Sequence, residues 1–268
     1  MKLKIGCIQS NASDDFERNL KQAIRLAREA HHAGAELIAF PEMFLFRGGP
    51  VRYREIAEKT EKVIHKFQHM ACMSRIPILL GSILEKSGRA NRYFNTSLLI
   101  SEHGHVIAKY RKIHLFDVKT PAGFRIQESR FFLPGKSLVS VSLRNIHFGF
   151  SICFDLRFPE PFRNLAKRGA EVIFVPSNFL RETGTAHWHV LLRARAIENQ
   201  VFIAAPAQAG LHPGIGRRSF GHSMMVDPWG KILAEGSGNR TEVIVAQIDT
   251  EKIKMLRKNF PIFNRPAQ

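Results

Sequence analysis

The chain has 268 residues, enough for one large domain or two small ones, and a single body of that size buries roughly three-quarters of its unfolded surface. Its 44% apolar and 24% charged residues are ordinary for a globular protein, and no apolar run approaches the roughly 18 residues of a membrane span. The net charge is +17, from 40 basic and 23 acidic side chains, yet the basic residues come in ones and twos along the whole chain. Blocks of like charge, zinc-finger spacing and aromatic–basic signatures are all missing, so a specific nucleic-acid partner is not expected. A solvated basic surface that attracts anionic small molecules is the simpler reading.

The opening residues Met1 to Gln9 offer neither a long apolar core nor a small-residue cleavage site, so no signal peptide and a cytoplasmic location are expected. Three cysteines, Cys7, Cys72 and Cys153, are too few and too scattered for a disulfide framework or a zinc site. Cys7 and Cys72 read as small buried hydrophobes. Cys153 differs, because it ends an apolar run and is followed by polar and turn-forming residues.

Residues 4–9 alternate at period two, as a strand should. Ser13 then offers a helix N-cap, with Asp14 and Asp15 in the first turn. Phe16, Leu20, Ala23, Ile24, Ala27 and Ala30 recur at three- and four-residue spacing, and Gly34 closes that helix. A short buried strand, 37–40, delivers Pro41-Glu42. The pattern next predicts a helix over 53–74 and strands at 78–84, 95–100 and 106–110, which leaves Lys112 just past a strand end. From 116 to 136 the pattern is irregular and carries Glu128; a loop of that length is usually functional.

A strand over 146–152 runs into Cys153, and Pro159 suits the first turn of the next helix. Then follow strand 172–175, the polar pair Ser177-Asn178 after Pro176, helix 186–199, strand 201–205, a loop, and strand 220–226. Asp227-Pro228-Trp229-Gly230 is a tight turn into a hairpin over 231–235. Strand 242–248 and a short basic helix finish the chain. No linker, repeat or low-complexity tract appears, so residues 1–268 read as one α/β domain.

Several strand ends meet polar residues, at Glu42, Lys112, Cys153 and Ser177-Asn178, and ligand sites in α/β sheets lie outside such ends. A carboxylate, an ammonium and a thiol make a base, an electrostatic clamp and a nucleophile. The thiol has an ordinary pKa near 8.5, so attack on an amide needs either proton removal by a carboxylate or stabilisation of the thiolate by a cation. The resulting oxyanion needs donors already aimed at it. Alone, each of the three residues could equally be a surface charge or a core residue.

With their flanking residues, however, Phe40-Pro41-Glu42-Met43-Phe44, Tyr110-Arg111-Lys112-Ile113-His114-Leu115-Phe116 and Ser151-Ile152-Cys153-Phe154-Asp155-Leu156-Arg157-Phe158-Pro159-Glu160 closely resemble the nitrilase superfamily of carbon–nitrogen hydrolases. The resemblance runs from Ile5 to about Phe263 and includes 183–188, 192–200 and 221–230. It implies a four-layer α-β-β-α sandwich, usually dimerised into an αββα-αββα assembly, hence a homodimer. It also implies an enzyme without metal or organic cofactor. Glu42 would be general base and then acid, Lys112 the oxyanion stabiliser, and Cys153 the nucleophile. The backbone N–H of Phe154 would be a second oxyanion donor. Glu128 would be the second glutamate that orients lysine and substrate. His187, His189 and His222 are not at trusted metal-ligand spacing.

Cys153 to Glu160, Thr183-Gly184 and the Gly221 to Gly230 block resemble the branch containing deaminated glutathione amidase and ω-amidase. There Arg157 and Thr183 would anchor a substrate carboxylate, with Arg217 or Arg218 the fallback; a guanidinium binds carboxylate in a bidentate way that lysine does not reproduce. Phe154 stands where amidase branches typically carry Tyr. The expected reaction is hydrolysis of a terminal carboxamide to acid plus ammonia through a cysteine thioester. Deaminated glutathione is the favoured substrate and α-ketoglutaramate the alternative. Nitrilase or N-carbamoyl hydrolase activity, and a basic anion- or nucleic-acid-binding module, are the remaining alternatives.

Overall fold

A computed structural model describes residues 1–119, 123 and 125–262. Two six-stranded sheets lie face to face. The first runs, in spatial order, Glu242–Asp249, Lys2–Gln9, Leu37–Ala39, Ile78–Lys86, Tyr93–Ile100 and Val106–Arg111. The second runs Ile232–Glu235, Met224–Val226, Phe202–Ala205, Val172–Phe174, Ile146–Phe150 and Ser140–Leu143. Helices α1 (Phe16–His32) and α2 (Tyr53–Ser74) cover the first sheet, and α3 (Pro159–Lys167) and α4 (Arg181–Asn199) the second. This is the four-layer α-β-β-α sandwich. A last helix, α5, spans Glu251–Asn259.

Period-two alternation divides the core. On the first sheet Leu3, Ile5, Cys7, Leu37, Ala39 and Leu79 face the other sheet. Their neighbours Ile8, Ile38, Phe40, Ile78 and Leu80 pack on the helix side with Phe16, Leu20, Ala27, Val63 and Phe67. Between the sheets the large buried groups include Tyr110, Phe148, Phe150 and Phe174, and each buried aromatic removes about 150–250 Å² from water. The sheets come very close at Gly81, where a Cβ would sit 1.6 Å from the Phe40 carbonyl oxygen and 2.7 Å from Pro176 Cβ. Only glycine fits there, and the strand ends around it carry the polar residues described below.

Several local expectations need correction. The cap of α1 is Asp15, whose side chain accepts from the Arg18 N–H at 3.0 Å; Ser13 lies upstream and accepts from the Asp15 N–H instead. Gly34, with φ +82°, does close that helix. Cys72 is exposed, because the buried stripe of α2 includes Val63, Phe67 and Ala71 and the next residue is turned about 100° away. The irregular stretch after Phe116 contains a small hairpin, Asp117–Lys119 with Arg125–Gln127; residues 120–122 and 124 of the expected loop lie outside the described residues. The strand expected over 220–226 is two: Arg217–Phe220 pairs with Ala209–His212, and Met224–Val226 joins the second sheet. Helix α4 begins five residues before the expected Ala186. The edge strand Ser140–Leu143 was not anticipated.

Candidate active site

Glu42, Lys112, Glu128 and Cys153 all line one cavity of about 530 Å³. Glu42 arrives from the strand Leu37–Ala39, whose ladder continues one residue through the bond from Phe40 N–H to Leu79 carbonyl. The residue is 3% exposed, and its Oε1 accepts from Asn95 Nδ2 at 2.9 Å and Lys112 Nζ at 3.0 Å. The Gln208 amide donates to the Glu42 backbone carbonyl at 3.0 Å. The next residue, Met43, has φ +52° and donates its N–H to Ser82 Oγ, which fixes the turn beyond Glu42.

Lys112 follows the strand Val106–Arg111. Its backbone is held on both sides, donating to the Asn95 carbonyl and accepting from the Gly135 N–H at 2.8 Å. The ammonium is buried between two carboxylates, since Glu128 also accepts from it, at 3.1 and 2.8 Å. Burial alone would push this ammonium down in pKa, but Glu128 and Glu42 outweigh it and hold the lysine well above its ordinary value. Glu128 Oε2 is itself fixed by the Phe116 N–H at 2.8 Å.

Cys153 comes from the other sheet. The chain leaves the strand Ile146–Phe150, and Cys153 adopts φ +48° while its N–H bonds the Pro176 carbonyl at 3.0 Å. A left-handed non-glycine residue is uncommon and costs on the order of 1–3 kcal/mol. Asp155 offsets that cost. Wholly buried, it accepts from Tyr110 Oη (2.7 Å), the Ile152 N–H (2.9 Å), the His114 N–H (2.9 Å) and His114 Nδ1 (2.8 Å). The Asp155 bonds to Tyr110 and His114 thus tie the thiol-bearing turn to the segment that flanks Lys112. Phe154 stands at the start of the short turn Cys153–Arg157, where the first N–H groups have no intrahelical partner.

The thiol is not a thiolate at rest. Burial pushes its pKa well above the ordinary value, and the Glu42 carboxylate pushes further. Lys112 and a bond from the Asn178 backbone N–H pull the other way without prevailing. Of the two routes to activation, direct proton removal by Glu42 is therefore the one this geometry favours.

Arg157 and Thr183 also line the cavity. Arg157 stands 3.1 Å from His187 Nδ1 and over the faces of Phe179 and Phe154, and among the described residues no carboxylate pairs with it. Sequence reasoning passed over Arg47, Arg125 and Arg130, which also line the cavity, and the supporting Asn95 and Gln208. Arg47, an isolated charge after Phe44-Leu45-Phe46, was the one with a local signal. Arg217 lines the cavity; Arg218 does not.

His189 and His222, set aside by spacing, do meet: both bond Glu235 Oε1, at 2.8 and 2.7 Å, and the three offer ligand atoms within 4.8 Å of one another. None of them lines the cavity. Among the described residues no helix is long and apolar enough to cross a membrane.

Residues 4–258 match the family model described as Carbon-nitrogen hydrolase. Deaminated glutathione amidase from Synechocystis sp. is 39% identical over 262 residues, covering 96% of this chain and 95% of that protein. The crystal structure of the C. elegans NitFhit protein superposes with a TM-score of 0.93 at 36% identity over 99% of this chain, which spans 65% of that longer one. A glutamate-to-glutamine mutant of the amidase from Nesterenkonia sp. AN1 has a TM-score of 0.80 and 26% identity, over 97% of this chain and 98% of that one. In that amidase acrylamide has undergone Michael addition at the active-site cysteine. The chain belongs to the carbon–nitrogen hydrolase family. Amidases of the nitrilase superfamily are the members among which it falls.

Proposed function

We propose that the protein is a thiol amidase whose substrate is deaminated glutathione, with Cys153 as nucleophile, Glu42 as base and then acid, and Lys112 as oxyanion stabiliser. The observation that carries this reading is the convergence of those three side chains in one cavity that arginines also line. Glu42 takes the Cys153 proton as sulfur attacks the amide carbonyl. The oxyanion forms between Lys112 Nζ and the Phe154 N–H, while Glu128 keeps the ammonium in place. Glu42 then gives its proton to the departing nitrogen, the C–N bond breaks, and a thioester remains. A water deprotonated by Glu42 attacks the thioester, the C–S bond breaks, and the proton returns to sulfur.

The leaving group needs correction from the expectation of ammonia. In deaminated glutathione the scissile γ-amide nitrogen belongs to the cysteine residue, so cleavage releases cysteinylglycine and α-ketoglutarate. Only the small alternative, α-ketoglutaramate, would release ammonia. Both deliver the same α-ketoglutaryl group, whose carboxylate suits Arg157 and Thr183. That shared acyl half is why the triad cannot separate them and why the leaving-group side must.

The test is steady-state turnover of the two compounds by purified protein, with α-ketoglutarate measured as the common product. A higher kcat/KM for deaminated glutathione supports the proposal. Preference for α-ketoglutaramate would make the enzyme an ω-amidase. Inactivity toward both, with turnover of simple nitriles or carbamoyl compounds, would move it to another branch.

A further inference from the structure

The cavity holds more positive charge than one α-keto carboxylate requires. Arg47 and Arg217 reach it from different elements, one just beyond the Glu42 turn and the other at the start of the strand Arg217–Phe220. They are close enough that Arg47, after burial itself, depresses the Arg217 pKa. Neither is paired with a carboxylate among the described residues. Arg111, Arg144 and Arg195, by contrast, are paired with Glu85, Glu102 and Glu198. Two half-buried like charges without an internal counterion repel one another, and the fold keeps them nonetheless.

Arg47 is also pinned. The chain begins at the buried His212, whose Nδ1 lies 2.7 Å from the Ala12 carbonyl and must donate to it. Its Nε2 therefore accepts from Ser219 Oγ at 2.7 Å. Ser219 oxygen in turn accepts from the Asn178 amide nitrogen, which turns the Asn178 carbonyl oxygen toward Arg47. Arg47 Nε, Nη1 and Nη2 lie 2.8, 3.1 and 2.6 Å from that oxygen. Asn178 orients the guanidinium without neutralising it. A cation fixed in advance and left uncompensated loses little freedom when an anion arrives.

We propose that Arg47 and Arg217 form a second carboxylate subsite, separate from Arg157, that receives the C-terminal carboxylate of a peptide leaving group. The inference rests on the proposed function, in which Arg157 and Thr183 take the keto-acid end. It explains how the enzyme would distinguish a doubly anionic peptide amide from α-ketoglutaramate, which has no charge on its leaving-group side.

The experiment compares two substrates that differ only at the far end: deaminated glutathione and the same compound with its glycine carboxylate converted to a carboxamide. In the wild-type enzyme the carboxamide should lose about tenfold or more in kcat/KM, the scale of one charge-assisted pair. R217Q and R47Q should each bring that ratio toward one. Equal cleavage of both peptides by the wild-type enzyme, or an undiminished ratio in R217Q, would overturn the subsite while leaving the amidase reading intact. Hydrolysis of α-ketoglutaramate with neither peptide cleaved would instead show that the substrate reading has failed, and the subsite with it. Should R47Q not fold, since it ends the buried chain, R217Q and the wild-type comparison still decide.

Discussion

Lys112 donates to both carboxylate oxygens of Glu128, so its ammonium is clamped between that residue and Glu42 rather than free to swing. K112M should lower kcat about 10²- to 10³-fold, the usual loss for one oxyanion donor. It also leaves two carboxylates without their counterion, which in buried pairs costs about 3–5 kcal/mol. A lowered melting temperature alongside the lost turnover is therefore expected, read by steady-state kinetics and thermal denaturation. Wild-type rates would remove the oxyanion assignment.

Because burial and Glu42 hold the Cys153 thiol protonated, alkylation of the free enzyme should behave as that of a buried thiol. The rate of Cys153 modification by iodoacetamide should keep rising as pH increases toward 9, without an earlier plateau. Site-resolved peptide mapping separates it from the exposed Cys72. A plateau near neutral pH would mean a preformed thiolate and would shift activation from Glu42 to Lys112.

The parts of this site that were readable in the sequence are those at strand ends. The apolar runs before Glu42 and Cys153 stop abruptly at polar residues, and alternation alone places those stops at a sheet edge. Asn95 was hidden because it sits inside a strand and its partner Glu42 is remote in sequence. Arg47 was passed over because its partner Asn178 is remote in sequence, and Arg217, held only as a fallback anchor, reaches the cavity through the pairing of Arg217–Phe220 with Ala209–His212. The start of α4 was missed because Thr183-Gly184-Thr185 is a poor helix former. Packing overrides that propensity: a Cβ at Gly184 would lie 2.4 Å from the Phe220 ring, so glycine lets the helix dock there.

Asp155 touches no cavity atom of its own but positions the thiol through the turn it anchors. D155N replaces a four-bond acceptor with a group that turns N–H toward donors. It should destabilise the protein by roughly 1–3 kcal/mol for each donor left unsatisfied, and lower kcat more than it raises KM. Y110F removes one of the four bonds and should cost only about 1 kcal/mol. Equal effects of the two in urea denaturation would contradict the anchoring role.

His212 predicts an acid weakness. Burial first, and then Arg47, lower its pKa from 6.5 to about 4. The unfolded chain therefore binds the proton more readily than the folded one as pH falls below 6.5. Stability present above that pH is lost progressively toward pH 4, by roughly 3 kcal/mol at most. Urea midpoints at about pH 7 and pH 4 should diverge less in H212Q than in the wild type. An unchanged difference would place the acid sensitivity elsewhere.

The central claim is that Cys153 carries the acyl group. Deaminated glutathione and α-ketoglutaramate should be mixed separately with enzyme, quenched in acid during turnover, and the protein digested for mass spectrometry. The same α-ketoglutaryl thioester is predicted from both, on the peptide containing Cys153, and no adduct in C153A. Turnover without any adduct on that peptide, or an adduct that survives C153A, would contradict the account.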